Sequence, residues 1–208
     1  MVDWSWASKT INYYSARYSV EEVGQHIANY LDFLSYFGQM SFKTLTLIGH
    51  SLGAHCSGYA GKFVRSGKIE NIIGLDPASP LFYYNKLEER LSAKDARYVE
   101  TIQTNGGFLG FLNPIGQAAF YPNWGSKQPG CGMDLAGMCA HERSYTLFAE
   151  SIANNNFLPT KCESFDMLLQ KECAEYVDEI RMGHSEKNKN ARGIYFVPTN
   201  PDQPYGHG

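Results

Sequence analysis

The segment from Thr44 to Gly53 constrains the fold of this chain more than any other. It reads TLTLIGHSLG, so strand-like residues 44–48 lead directly into Gly49-His50-Ser51-Leu52-Gly53, and a run rich in small residues follows. This is the G-x-S-x-G pattern in the strand, turn and helix context that a nucleophile elbow requires. The turn is so tight that we expect glycine to be needed at both Gly49 and Gly53. The alternative is a glycine-bounded turn that happens to contain serine.

The elements around this segment predict an α/β fold with a mostly parallel sheet. Further strand-like runs occupy residues 69–75, 98–104 and 193–197, and apolar residues at helical spacing predict helices over 20–34 and 140–152. Ser19 and Glu22 have the spacing of a capping box, so we expect the first helix to begin at Ser19 and to stop near Gly38. Residues 2–5 are the only earlier strand candidate. Residues 1–208 are most simply one domain.

Charge and apolar runs exclude two classes of protein. The chain has 18 basic and 21 acidic residues, a net charge of -3 with no long run of either sign, so a nucleic-acid partner is not expected. No apolar run is long enough to span a bilayer, and the N-terminus has no secretory signal.

The cysteines favour an oxidising compartment. Cys131 and Cys139 lie close together in the C-terminal half, as do Cys162 and Cys173, which is typical of disulfide-closed loops. Four cysteines allow three connectivities, and four reduced thiols are the alternative. Cys56 is left over, and we expect it to be a buried free thiol.

A serine nucleophile needs a base and an acid, which follow the serine in the order acid, histidine on α/β-hydrolase folds. Asp76 directly follows the strand 69–75, where a functional acid is expected, although an aspartate before proline is also a common turn residue. Asp95 is the nearest competitor, in a stretch, residues 86–95, that has the pattern of a charged, solvated face. Among later histidines, His141 opens a helix beside the Cys131 to Cys139 loop, so its backbone would be held rigidly. His184, or no catalytic histidine, remains the alternative.

Several motifs in the correct order resemble the pancreatic-lipase-related family of neutral lipases and phospholipases A1. They are VDWS, GHSLGAH, GLDPASPLF, YPN with QPGC, C-x-H-x-R-S-Y and FVPTN. The resemblance implies an α/β-hydrolase fold with Ser51 as nucleophile, Asp76 as acid and His141 as base. It also implies the disulfides Cys131 to Cys139, which closes the lid loop, and Cys162 to Cys173.

The sequence departs from the family in two places. The loop between Cys131 and Cys139 is much shorter than the lid of triglyceride lipases and similar to that of venom-type phospholipases A1, which argues against activation by lid opening. Residues 1–50 contain no match to the upstream loop that donates one oxyanion-hole N–H in the family. The N–H of Leu52 remains as one donor. We therefore expect an N-terminally truncated form of a longer, secreted enzyme.

The sequence thus predicts a serine hydrolase of lipid esters, with phospholipids favoured over glycerides. It needs no metal or organic cofactor and would meet a lipid surface peripherally. Calcium binding and oligomeric state are left open. The rivals are a non-catalytic lipid-binding or yolk-like member of the same fold, and a small cytosolic thioesterase or peptidase with reduced cysteines.

Overall fold

A computed structural model of the chain describes residues 1–8, 12–177, 179–183, 188 and 190–207. The helices are α1 (Ser5–Ser8), α2 (Tyr13–Tyr36), α3 (Leu52–Phe63), α4 (Met138–Ala153) and α5 (Phe165–Gln170). The strands are β1 (Thr46–His50), β2 (Asn71–Leu75), β3 (Tyr98–Ile102), β4 (Ala118–Pro122), β5 (Thr160–Cys162), β6 (Glu175–Tyr176) and β7 (Gly193–Val197).

Within the described residues, these strands form one seven-stranded sheet in the order β1-β2-β3-β4-β7-β5-β6. The neighbouring strands β1, β2, β3, β4 and β7 are paired in parallel, in that order. Strand β5 runs antiparallel to both β7 and β6. The register places His50 beside Leu75, so the carboxyl ends of β1 and β2 lie next to each other. The mostly parallel sheet with helices agrees with the predicted α/β-hydrolase fold.

Helices cover both faces of the sheet. One apolar cluster joins α2 and α3 to Ile72 and Val99, and a second joins α4 to the neighbouring residues Ile73 and Tyr98. Because successive residues of a strand point to opposite faces, the two clusters lie on opposite sides of the sheet. All five residues of β3 and of β4 are buried, as expected for central parallel strands.

Helix α2 begins earlier than the sequence predicted. Its N-cap is Asn12, whose side chain accepts a hydrogen bond from the N–H of Tyr14, and the predicted cap Ser19 lies inside the helix. There the Ser19 hydroxyl donates to the carbonyl of Ser15 at 3.1 Å, so the capping-box interpretation was wrong. The helix ends close to the predicted position, since Gly38 has a φ of 67° just beyond it.

Among the described residues, no helix has the length and apolar character needed to cross a bilayer.

The secondary structure differs from the prediction in two other places. Residues 1–4 have no regular structure and Ser5 begins α1, so the strand proposed at 2–5 is wrong. Strand β4 had not been predicted, and it lies in the middle of the sheet between β3 and β7.

Candidate active site

Ser51 occupies the turn between β1 and α3 in a backbone conformation that is rare for a residue with a side chain. Its φ is 55° and its ψ is -121°, and its N–H donates to the carbonyl of Leu75 at 3.0 Å. Such positive-φ serines are held by their surroundings, and the conformation is typical of a nucleophile elbow.

The two glycines of the motif are not equally crowded. A Cβ built at Gly49 would lie 2.2 Å from the carbonyl oxygen of Gly53, which no side chain tolerates. A Cβ at Gly53 would meet no heavy atom within 4 Å outside its own helix. The structure therefore requires glycine at 49 for steric reasons, whereas the same expectation for 53 was wrong.

Asp76 follows β2 at the carboxyl end of the sheet, and its side chain is completely buried. Its Oδ1 accepts hydrogen bonds from the N–H groups of Thr104 at 2.8 Å and Asn105 at 3.0 Å. Its Oδ2 accepts the Nδ1–H of His141 at 2.6 Å. These donors satisfy the carboxylate and leave it oriented toward the histidine.

The loop after β3 supports Asp76, and sequence reasoning had not assigned it that role. A Cβ at Gly110 would lie 2.4 Å from Oδ1 of Asp76, so only glycine lets the backbone approach the carboxylate this closely. The signal in the sequence is the glycine-rich run from Asn105 to Gly110.

His141 lies in the first turn of α4, and its side chain is buried. Because a carboxylate can only accept, the hydrogen bond to Asp76 places a proton on Nδ1, so in the neutral tautomer of this ring Nε2 is the acceptor. Ser51 and His141 line the same cavity, of about 720 Å³. Both residues belong to the described part of the chain, and no hydrogen bond is found between the Ser51 hydroxyl and the His141 ring. The alternative base, His184, lies outside the described residues.

A disulfide-closed loop holds the start of α4. Cys131 and Cys139 are bonded, and the loop residue Asp134 accepts hydrogen bonds from the N–H groups of Cys139 at 3.3 Å and Ala140 at 2.8 Å. The carboxylate thus satisfies N–H groups that the helix itself leaves free. The loop is therefore attached to the helical turn that carries His141.

The second disulfide is in another part of the molecule. It joins Cys162, the last residue of β5, to Cys173 beyond α5. These are the two pairs that the family resemblance implied. Cys56 is a buried free thiol, and burial raises its pKa to about 12.

Leu52 is the first residue of α3 and directly follows Ser51. Its backbone N–H is therefore one of those that an α-helix cannot pair internally, and it is available to an anion beside the serine.

Asp95, the competing acid, belongs to a different cluster. Its Oδ1 accepts from Lys62 Nζ at 2.5 Å and from the Ser92 hydroxyl at 2.9 Å, and only 3% of the residue is exposed. Burial raises the pKa of this carboxyl, and the charge of Lys62 opposes that effect. Arg90 is also buried, with its guanidinium hydrogen-bonded to the carbonyls of Tyr84 and Leu91. The prediction that residues 86–95 form a solvated face is therefore wrong for Arg90 and Asp95.

The two histidines of the motif GHSLGAH have structural partners that had not been predicted. His50 lies beside His141, with its Nε2 3.2 Å from the backbone carbonyl oxygen of that residue. His55 is completely buried and donates through Nε2 to the carbonyl of Ala78 at 2.8 Å, while its Nδ1 accepts the N–H of Leu91 at 3.0 Å. Burial lowers its pKa to about 3, so the ring is neutral. His55 thereby connects α3 to the segment that follows Asp76.

Comparison with known proteins agrees with this architecture. The sequence model of the lipase family matches residues 1–205. A phospholipase A1 from Polybia paulista is 36% identical over 203 residues, which cover 95% of this chain and 62% of that protein. Phospholipases A1 from Vespula maculifrons and Vespula vulgaris are 35% and 41% identical, covering 98% and 73% of this chain and 71% and 48% of their own lengths. This chain spans less than two thirds of the Polybia paulista protein. A family match over nearly the entire sequence, with relatives above 30% identity, shows that the chain belongs to the lipase family.

Proposed function

We propose that this chain hydrolyses acyl esters of lipids with Ser51 as nucleophile, His141 as general base and Asp76 as the acid that orients it. The observation that carries the proposal is the 2.6 Å hydrogen bond from His141 Nδ1 to buried Asp76, beside the strained turn of Ser51. The family and the names of the relatives support the same chemistry.

In the proposed reaction, the Ser51 oxygen attacks the ester carbonyl carbon while Nε2 of His141 takes the serine proton. Negative charge forms on the carbonyl oxygen, where the N–H of Leu52 can donate to it. The imidazolium then gives its proton to the leaving alcohol as the carbon–oxygen bond breaks, and an acyl-enzyme remains. Water then attacks the acyl carbon while His141 takes a proton from it. The imidazolium returns this proton to the Ser51 oxygen as the bond between serine and the acyl group breaks, which releases the carboxylic acid and restores the free serine. Asp76 stabilises the imidazolium in both halves. No step requires a metal or an organic cofactor.

Phospholipids are the proposed substrates, with cleavage at the sn-1 ester. The relatives that support this are themselves named phospholipase A1. The loop closed by Cys131 and Cys139 has only seven residues between the cysteines, which is too few to cover a cavity of about 720 Å³. We therefore propose that the site works without a lid-opening step.

We propose that the protein meets lipid at the surface of an aggregate and acts outside the cell. The loop presents Met133 and Leu135 with 91% and 87% of their surfaces exposed, which is costly in water and favourable against a lipid surface. Two disulfides support an oxidising compartment.

A fluorophosphonate probe tests the proposal directly. The unaltered protein should be labelled on Ser51, and S51A and H141A should not be labelled. S15A, which removes an exposed serine from α2, should be labelled like the unaltered protein. Parallel assays with phosphatidylcholine and a triglyceride then identify the substrate. Labelling that persists in S51A would rule out the proposed nucleophile.

A non-catalytic lipid-binding role is the second candidate. One observation favours it: the described residues show no hydrogen bond between the Ser51 hydroxyl and the His141 ring. It predicts saturable lipid binding without probe labelling of Ser51.

A further inference from the structure

His50 is the last residue of β1 and precedes Ser51 in the chain. Its Nε2 lies 3.2 Å from the backbone carbonyl oxygen of His141, which is 91 residues away in the sequence. A carbonyl oxygen can only accept, so His50 must carry a proton on Nε2. The side chain next to the nucleophile therefore binds the backbone of the base.

The two rings are also in contact. The His50 ring centroid lies 4.5 Å from that of His141, and the Tyr145 ring meets the His50 ring edge-on at 5.2 Å. Tyr145 is one turn beyond His141 on α4, so His50 packs against the face of the helix that carries the base. Together with Asp134 on the loop side, these contacts hold the first turn of α4 from two directions.

We infer that His50 is a positioning residue: through the proton on its Nε2 and the contact of its ring, it fixes the distance between the Ser51 turn and the His141 ring. This inference rests on the proposed function. The carbonyl of His141 also accepts the Ser144 hydroxyl at 2.9 Å, so it keeps a partner when His50 is replaced. The hydrogen bond from His50 is thus needed for placement of the helix rather than to satisfy a buried carbonyl.

The charge state of His50 matters because His141 becomes positively charged during the proposed reaction. Burial lowers the pKa of His50, and the charge of His141 lowers it further. The hydrogen bond to His141 and the carboxylates of Asp76 and Glu142 act in the opposite direction. Tyr145 is the other titratable group in contact with the ring, and its hydroxyl is neutral at ordinary pH. A neutral His50 avoids two adjacent positive rings when His141 takes the serine proton.

Two substitutions distinguish the contribution of the His50 N–H donor from that of its aromatic ring. H50F keeps an aromatic ring and loses the N–H, whereas H50Q keeps a neutral N–H at a similar distance from the backbone. We expect H50F to lower the rate of Ser51 modification by a fluorophosphonate about 10- to 100-fold, as a small misplacement of a catalytic group does. H50Q should keep most of the rate. H26F and H26Q, which alter an exposed histidine of α2, are the matched controls and should react like the unaltered protein.

A second measurement uses the unaltered protein. Nitrogen-15 NMR of the histidine rings, with His50 assigned from the signals lost in H50Q, should show the Nε2–H tautomer and a pKa below the ordinary 6.5. This result does not depend on whether H50F folds.

The outcomes are distinguishable. If Ser51 of the unaltered protein is not labelled, the proposed function fails. If Ser51 is labelled and H50F reacts as fast as the unaltered protein, the positioning role alone is overturned. An Nδ1–H tautomer at His50, or equal losses in H50F and H50Q, also overturns it.

Discussion

The Nδ1–H of His141 donates to Oδ2 of Asp76 across 2.6 Å, although the two residues are 65 positions apart in the chain. Asp76 is held by the N–H groups of Thr104 and Asn105, and the helix of His141 is held by Asp134. Both partners of this hydrogen bond are therefore held by residues from other segments of the chain.

The variant D76N tests what this hydrogen bond contributes. An amide at position 76 keeps the shape of the side chain, but its NH₂ group can favour the other tautomer of His141, with the proton on Nε2. The ring could then no longer accept the serine proton. We expect kcat to fall about 10⁴-fold with little change in KM.

The measurement is steady-state hydrolysis of a soluble short-chain ester, with D166N as the control. Asp166 is exposed at the start of α5, on a part of the chain that does not line the cavity. A D76N protein with near-normal kcat would show that Asp76 has no role in the reaction.

The two disulfides offer a matched comparison. Their loops have similar sequence separations, 8 and 11, so each should contribute about 2–3 kcal/mol to the free energy of unfolding by the loop-entropy relation. Only the pair Cys131 and Cys139 is attached, through Asp134, to the first turn of α4.

We expect the double variants C131S/C139S and C162S/C173S to lose similar stability, measured by urea unfolding. Only C131S/C139S should also lower kcat, by about 10-fold or more, because His141, the proposed base, becomes less well placed. Equal effects of both variants on kcat would contradict a special role for the first loop.

The two glycines of the elbow should respond differently to alanine. In G49A the new Cβ would meet the carbonyl of Gly53 at 2.2 Å, so we expect a loss of about 1–3 kcal/mol or more in the free energy of unfolding. In G53A the Cβ enters open space on a helix, and alanine favours helix over glycine by about 0.8–1.0 kcal/mol.

Chemical unfolding of both variants checks this prediction. G53A should be as stable as the unaltered protein or more stable. A destabilised G53A, or a G49A protein of normal stability, would show that the crowding at this turn is not as the structure describes it.

The turn at Ser51 could be predicted because it has a local sequence pattern, and the end of a strand before Asp76 and the start of a helix near His141 were also predicted from local patterns that the structure agrees with. Strand β4 could not, since the run AAFYP is short, ends in proline and has no alternation, and its burial comes from residues distant in the sequence that pack on both faces. The pairing of Lys62 with Asp95 and the contact of His50 with His141 join residues 33 and 91 positions apart. Local sequence patterns do not reveal contacts between such distant residues, so the buried residues Arg90 and Asp95 were predicted to be exposed.

Glu100 is another buried ionisable group, and its environment predicts how stability depends on pH. It lies in β3, is completely buried, and accepts hydrogen bonds from the hydroxyl of Tyr98, the N–H of Gly183 and the amide of Asn188. Burial raises its pKa from 4.5 to about 7, against the effect of these hydrogen bonds.

The direction of the effect follows from proton binding. Between about pH 4.5 and 7 the folded protein holds a proton on Glu100 that the unfolded chain has lost, so this group makes the folded state less stable as pH rises through that window. A shift of this size corresponds to roughly 3 kcal/mol at pH 8 relative to pH 4.

The variant E100Q cannot titrate, so the comparison isolates this one group. We expect the stability of E100Q relative to the unaltered protein to increase by roughly 3 kcal/mol between pH 4 and pH 8. Urea unfolding of both proteins across that range measures the difference, and the other titrating groups, including His55, cancel because both proteins contain them. A difference that stays constant with pH would mean that the carboxyl of Glu100 titrates alike in the folded and unfolded chains, in conflict with its burial among three hydrogen-bond donors.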